Sequence, residues 1–347
     1  MSRDDPPASL KSPATMHDVA RLAGVSIKSV SRVINNEAHV SAKLRGRVEA
    51  AIGELGYVPD LAARSLAGAR SFTIGVMLDN PSPNYTMKVL AGIYRACVEH
   101  QYHLRIDNLD SQSSGADLES QLAALIRGGQ VDGFVLTPPI CDNRQVMDFL
   151  EQYGIHYSRV APFVDPLRSP GASMDDRAAA ASVADLLWSL GHRRFGMVTG
   201  QEMHGASHAR REGFIGRLRE LDPAIEVAEA YGGFLFVQGI EAGRELLARD
   251  PMPTAIFAAN DDSAAGAMVA IREKGLAVPE QISVCGFDDS WVATSVWPFL
   301  TTIRQPIEDM AYAATSMVID RNQPQDRVTV QTLDFELISR DSVGPSP

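Results

Sequence analysis

Residues 25–43 read VSIKSVSRVINNEAHVSAK, a short hydroxyl-rich helix flanked by basic residues in a 347-residue chain whose formal net charge is −11. The charge is unevenly spread. Residues 16–70 hold eight Lys/Arg against five Asp/Glu, whereas residues 71–347 hold 22 against 36. A small basic head can approach a polyanion while an acidic body repels it and sets solubility.

Around this stretch the local signals are those of three short helices. Thr15 and Asp18 form a capping box ahead of Val19, Ala20, Leu22 and Ala23, and Gly24 ends that helix. Ser26 is a second N-cap. The helix over 27–35 places Val30, Val33 and Ile34 on one face, leaving Ile27, Lys28, Ser31, Arg32 and Asn35 on the other. Ser41 caps a third helix with Leu44, Val48, Ala51, Ile52 and Leu55 as its buried stripe, closed by Gly56. Two helices on a tight Gly turn, braced by a third, make a helix-turn-helix whose second helix suits the major groove. Arg and Lys can reach guanine, Asn adenine, and Ser a base or a phosphate. A three-helix protein-interaction domain with a solvated polar face is the alternative the pattern leaves open.

The run HDVARLAGVSIKSVSRVINNEAHVSAKLRGRVEAAIGELGYVPDLAARSLAG closely resembles the DNA-binding head of the LacI/GalR family of bacterial repressors, nearly without a break over residues 15–70. The resemblance implies base reading by Ile27, Lys28 and Arg32, with Ser26, Ser29, Ser31, Asn35 and His39 as neighbouring base or phosphate contacts. It also implies a hinge over 60–70 that folds on the operator, where Leu66 wedges into a minor-groove step beside Ala63 and Ala67. Asp60 departs from the frequent Asn, and an ionised acid there cannot donate to a phosphate.

From residue 71 the pattern changes. FTIGVMLD, YHLRI, VDGFVL, RFGMVT, TAIFAA and ISVCGF are short apolar or alternating runs separated by helical segments, one of them running through Ala91–Glu99. That is a parallel sheet built from βαβ units, and some ten strands imply two α/β subdomains. Ligands of such sheets sit beyond the carboxyl ends of the strands. No GxGxxG follows the first strand, and no Walker A sequence, GxSxG or HExxH occurs, so no enzyme and no cofactor is expected. His204 and His208 share helical spacing but lack a third ligand, so they read as surface histidines, not a metal site. The three cysteines form no CxxC pair, which fits buried thiols in a reducing compartment. No apolar run is long enough to span a bilayer, and the first residues lack the apolar core of a secretory signal, so a cytoplasmic protein is expected.

The family resemblance continues through SLGHRRFGMVTG, HARREGF, AIFAANDDSAAGAM, EQISVCGFDDS and PFLTTIRQP. It implies a periplasmic-binding-protein-like body of two doubly wound parallel-sheet subdomains over 71–340. Crossovers would fall near 171, 302 and 332, with a small effector between the subdomains. The whole chain is then a disordered tail (1–14), an all-α helix-turn-helix head (15–59), the hinge, the body and a tail (341–347). Residue by residue, Arg210, Asn260 and Asp288 fall where the family grips effector hydroxyls, and Tyr85 and Phe234 where it has an apolar wall. Each has a plainer role open to it: Asp288 and Asn260 as helix caps, Phe234 as core. Arg159 ends a strand where several relatives carry an acid or amide. It is either an ion-pair partner of Asp175 or Asp176 or a reader of an anionic effector.

The implied function is a repressor that binds a pseudo-palindromic double-stranded DNA operator as a homodimer, controlled by a sugar or sugar derivative. A regulator with a vestigial cleft, switched by a partner protein, is the rival. The C-terminal segment DFELISRDSVGPSP has no apolar heptads, so a dimer and not a tetramer is expected.

Overall fold

The computed structural model describes residues 14–34, 40–57, 70–320 and 328–347. The chain divides into two compact units, meeting at Ser71 and Phe72.

In the first unit, α1 (Met16–Ala23), α2 (Ile27–Ile34) and α3 (Ala42–Leu55) enclose Val19, Ala23, Val30, Val33, Val48 and Ala51. The capping box forms as the sequence indicates: Asp18 N donates to Thr15 Oγ1 (3.4 Å) and Thr15 N to Asp18 Oδ2 (3.0 Å). The Thr15 hydroxyl also donates to Asp18 Oδ2 (2.6 Å), and this bond, with the one from Thr15 N, holds the Asp18 carboxyl below its ordinary range. Gly24 turns the chain at φ 61°, which a Cβ would strain. Ser26 Oγ accepts from Ser29 N at 3.1 Å, and Ser41 Oγ from Leu44 N at 3.3 Å. Arg47 on α3 adds a brace that periodicity does not reveal, donating to Ala23 O (2.5 Å) and Gly24 O (3.1 Å) at the α1–α2 turn.

The second unit opens with β1 (Thr73–Leu78), whose apolar run is buried at five of six positions. α4 (Pro83–Glu99) follows, starting eight residues before the stretch flagged by apolar periodicity because Ser82 caps it and Pro83 sits in its first turn. Next come β2 (His103–Asn108), α5 (Gly115–Arg127), β3 (Gly133–Leu136), α6 (Arg144–Gln152), β4 (Tyr157–Val160) and β5 (Gly171–Ser173). The chain then enters a second layer set: α7 (Asp176–Ser189), β6 (Phe195–Thr199), α8 (Gly205–Leu221), β7 (Val227–Tyr231), α9 (Phe236–Leu247), β8 (Ala255–Ala258), α10 (Asp261–Glu273) and β9 (Ser283–Cys285). β10 (Thr302–Arg304) leads back to α11 (Ile307–Ile319) and β11 (Val330–Thr332), and β12 (Glu336–Ile338) crosses once more.

The first sheet is parallel in the order β11-β5-β4-β3-β1-β2, with Val76 paired to Ile106 on one side and Val135 on the other. The second is parallel in the order β7-β6-β8-β9, and β10 and β12 form an antiparallel pair. Some ten strands were expected; twelve are found among the described residues, the additional ones being three-residue pieces at the crossovers. α4 and α11 pack closely at Gly92, where a Cβ would lie 2.1 Å from Glu308 O.

The expected tail over 341–347 needs correction. Ser342 is fully buried, its hydroxyl donating to Val284 O (2.6 Å) and accepting from Thr301 N (2.8 Å). Gly344 O meets the buried His192 ring (3.0 Å), and Ser346 N donates to Leu190 O (2.9 Å). This polar segment is held by its backbone and the Ser342 hydroxyl, a signal that hydrophobic patterning does not carry. All three cysteines are buried and free.

Candidate functional site

On the head, the apolar side of α2 is consumed by the core and its other side is presented outward. Ile27, 40% exposed, stands at the first position of α2 beside exposed Ser26 and Lys28, and Ser29, Ser31 and Arg32 are half-buried. A large exposed Ile at a helix start has no role in the head's core. Asn35, His39, Ala63, Leu66 and Ala67 lie outside the described residues.

In the body, both sheets reverse strand order beside their first strand, between β1 and β3 and between β6 and β8, which are the ligand-binding switch points of such folds. The segments leaving these strands converge on one cavity. Asn80, Ser82 and Tyr85 follow β1, Pro138 follows β3 and Ala161 follows β4. From the other side come Asp176, His204, Ala206, Arg210, Phe234, Asn260, Asp288 and Gln305. Three non-glycine residues of this wall have left-handed backbone, Ala161 (φ 50°), Phe234 (φ 67°) and Asp288 (φ 112°), the sort of local strain that clusters at binding sites.

Arg210 is the electrostatic centre. Its Nε donates to Asp176 Oδ1 (2.8 Å), Nη1 donates to Ala259 O (2.6 Å) and lies 3.8 Å from Asp288 Oδ1, and its face rests 3.7 Å over the Phe287 ring. Gln305 Nε2 donates to the same Asp288 oxygen. Burial pushes the Asp288 carboxyl above its usual range, while Arg210 and Lys88 pull it back. Behind it, fully buried Asp261 accepts from Thr302 Oγ1 (2.6 Å) and Ser290 N (2.7 Å), and is raised further by burial and by the Asp288 charge. Lys88 Nζ donates to the main-chain oxygens of Asp288 and Asp289, both at 2.8 Å. The two subdomains are also joined where Asp262 accepts from Asn84 Nδ2 (2.9 Å) and Ser82 Oγ (3.3 Å).

Five of the six expected effector residues line this cavity. Asn260 combines both roles open to it: it caps α10 by accepting from Ser263 N (3.0 Å) and holds the wall by donating to Phe234 O (3.0 Å). Asp288 caps no helix; Ser290 precedes the next helical turn.

Arg159 is the exception, and both of its expected roles are corrected. It is fully buried outside the cavity, donating to Ser169 Oγ (2.9 Å) and to the carbonyls of Cys141 (3.2 Å), Val164 (2.7 Å), Asp165 (2.5 Å) and Pro166 (3.1 Å). Neither Asp175 nor Asp176 is its partner: Asp175 caps α7 and Asp176 binds Arg210. Its guanidinium shapes the loop after β4.

His204 is the residue that sequence reading misplaced. It is 2% exposed, not a surface histidine, and its Nε2 has no hydrogen-bond partner. Its ring meets Phe234 edge-on at 5.2 Å. Burial and Arg210 push its pKa down to about 4, so it is neutral at ordinary pH. The Tyr85 hydroxyl, on the opposite subdomain, is likewise buried without a partner, and burial raises its pKa well above that of an ordinary phenol. Among the described residues no group of His, Cys, Asp and Glu could hold a metal ion, and no helix is long and apolar enough to cross a membrane.

Comparison with known proteins is consistent with both units. Residues 15–60 match the model of bacterial regulatory proteins, lacI family, and residues 184–343 match the periplasmic binding protein-like domain. The chain is 33% identical over 316 residues to the ribose operon repressor of Escherichia coli K12, covering 89% of this chain and 93% of that protein. It is 32% identical over 308 residues to the HTH-type transcriptional regulator GalS of Salmonella typhimurium, covering 88% and 89%. Among solved structures, the lac repressor dimer bound to operator and the anti-inducer ONPF is similar, with a TM-score of 0.74 and 28% identity over 96% of this chain and 100% of that one. The CelR–cellobiose complex gives a TM-score of 0.70 at 28% identity, covering 95% and 99%. With a helix-turn-helix head, a binding-protein-like body and relatives of this extent, the chain belongs to the lacI family of bacterial regulatory proteins and is a DNA-binding transcriptional repressor, not an enzyme.

Proposed function

We propose that the protein acts in the cytoplasm as a homodimer on a pseudo-palindromic operator, and that a small sugar or sugar derivative in the body cavity controls its DNA affinity. In this reading α2 enters the major groove with Ile27, Lys28 and Arg32 toward base edges, and Ser26, Ser29, Ser31, Asn35 and His39 serve as flanking contacts. Ala63, Leu66 and Ala67 act at the minor groove from the hinge. Two-fold symmetry of the operator requires two heads, and the lac repressor relative is a dimer on its operator.

The observation that carries the effector reading is the Arg210–Asp176–Asp288 cluster facing two buried polar atoms with no partner, Tyr85 Oη and His204 Nε2. Unpaired buried polar atoms cost free energy, so a cavity that retains them is furnished for a ligand. Tyr85, Phe234, Asn260 and Gln305 complete the wall. Arginine and carboxylate together suit a vicinal diol, offering donor and acceptor. The effector acts by binding the DNA-competent and DNA-incompetent states with different affinity.

Operator binding by the purified protein, measured with and without a panel of sugars, tests this reading. Arg210→Ala removes the effector response and leaves operator affinity in the absence of sugar as in the wild type. A normal response in that variant would place the effector elsewhere.

A further inference from the structure

The charges and the unpartnered atoms around this cavity specify its ligand more narrowly. Two carboxylates, Asp176 and Asp288, face one guanidinium, Arg210. That guanidinium is already committed to Asp176 through Nε, to Ala259 O through Nη1, and to the Phe287 ring through its face. The nearby ammonium of Lys88 points to the main-chain oxygens of Asp288 and Asp289 and does not line the cavity. Arg159, the second cation that the sequence suggested for this cleft, is spent on the loop after β4. A carboxylate or phosphate entering here meets two like charges and a single guanidinium of the wall, whose charge Asp176 and Asp288 already offset.

The atoms awaiting a partner are uncharged. Tyr85 Oη and His204 Nε2 come from opposite subdomains, both are buried, and neither has a partner in the protein. The His204 ring is fixed edge-on against Phe234, so its Nε2 direction is set before any ligand arrives. A phenol can donate or accept, and a neutral imidazole nitrogen does one or the other by tautomer. A hydroxyl can therefore serve both atoms in either tautomer, whereas a carboxylate or phosphate dianion can do so only when Nε2 carries the proton. The lowered pKa of His204 agrees with this: the imidazolium that would welcome an anion is absent at ordinary pH.

We propose that this cavity selects an uncharged, hydroxyl-bearing ligand over its phosphorylated or carboxylated counterpart, and that His204 and Tyr85 are the specificity-determining pair bridged by a ligand hydroxyl. The inference rests on the assignment of the cavity as the effector site.

The test is isothermal titration of the full-length protein with matched probes: D-ribose and ribose 5-phosphate, D-glucose and glucose 6-phosphate, D-galactose and D-galacturonate. The expected result is binding of at least one neutral sugar, with its anionic partner weaker by about tenfold or more. Asp288→Asn narrows that gap. His204→Leu weakens the neutral sugar by about tenfold, and His204→Gln, which keeps a donor and an acceptor, recovers most of the loss. If His204→Leu does not fold by circular dichroism, Tyr85→Phe removes the other half of the bridge and is expected to weaken the same sugar. An anionic sugar that binds as tightly as its neutral partner, and is lost in Arg210→Ala, leaves the site standing and overturns the charge selection. Binding that survives Arg210→Ala, or no binding by any probe, overturns both.

Discussion

Arg159 and Arg210 are both almost completely buried in the body, yet they do opposite things with the same guanidinium. Arg159 spends its donors on one hydroxyl and four main-chain carbonyls, of which only Asp165 O has a second donor among the described residues, Arg168 N. Arg210 is shared with two carboxylates, one of them 3.8 Å away, in a cavity where other polar atoms lack partners. A buried arginine therefore marks a binding site when its partners can be re-bonded by a ligand, and a structural brace when its partners are backbone.

The contrast can be broken most decisively at Arg159. Arg159→Met strands the carbonyls of Cys141, Val164 and Pro166, and at about 1–3 kcal/mol for each buried unsatisfied group the body loses about 3 kcal/mol or more. Calorimetry should show that loss, and Arg159→Lys should not restore it, since an ammonium cannot span carbonyls arranged for a planar fork. A variant that melts like the wild type would remove the brace. Arg210→Met should act on affinity: effector binding falls by about 100-fold, near 2.7 kcal/mol, as read by titration. Equal effects of both variants on ligand binding would erase the distinction between the two arginines.

A third arginine extends the comparison to the head. Arg32→Ala should cost about 1–3 kcal/mol on operator DNA and relax specificity at one base pair, with effector binding unchanged. Competition with non-specific DNA checks this, and equal loss on both DNAs would make Arg32 a phosphate contact.

The smallest expected effect concerns pH. Folded His204 holds its proton only below about 4, against an ordinary value of 6.5, so between these values the unfolded chain binds more protons. Its contribution to stability is present above pH 6.5 and is lost as pH falls toward 4. His204→Gln should therefore lose less stability between pH 7 and pH 5 than the wild type, by at most about 2 kcal/mol. Buried His192, also shifted down, keeps the same sign in both proteins. Asp261 and Asp288 act the other way. Their raised carboxyls bind protons in the folded state above pH 4, so their contribution declines as pH rises. Parallel melting curves of the two proteins across pH 5–7 would show that His204 is not desolvated.

What the sequence made legible follows the range of the forces involved. The head's caps at Thr15, Gly24, Ser26, Ser41 and Gly56 are interactions over three or four residues, so they appear in the text of the chain as they do in the structure. The doubly wound sheets were readable from apolar runs, and the resemblance picked out five residues that the structure brings to one cavity, three of them just beyond strand ends. Arg159 was not readable, because a strand end fixes where a side chain begins and not which carbonyls a loop ten residues later brings to it. His204 was missed for a related reason: helical spacing with His208 suggested a shared exposed face, while the burial of its ring depends on Phe234 arriving from another segment. The C-terminal segment looked like a tail because its anchoring is made by main-chain groups and one serine hydroxyl.

The interleaving of the two subdomains bears on how the chain comes into being. α11 lies against α4, at the close approach of Gly92 and Glu308, yet more than 200 residues separate the two helices. Strand β11 completes the first sheet only after the whole second sheet has been made, and residues 342–346 close the second subdomain last of all. As the chain leaves the ribosome, the described helices of the head have their contacts before the body is made, whereas neither half of the body has its full set of partners until residues 330–346 have been added. DNA-binding surface thus exists on the nascent chain before the body is complete, and the interval between the two is set by the residues between them at about 5–20 residues per second.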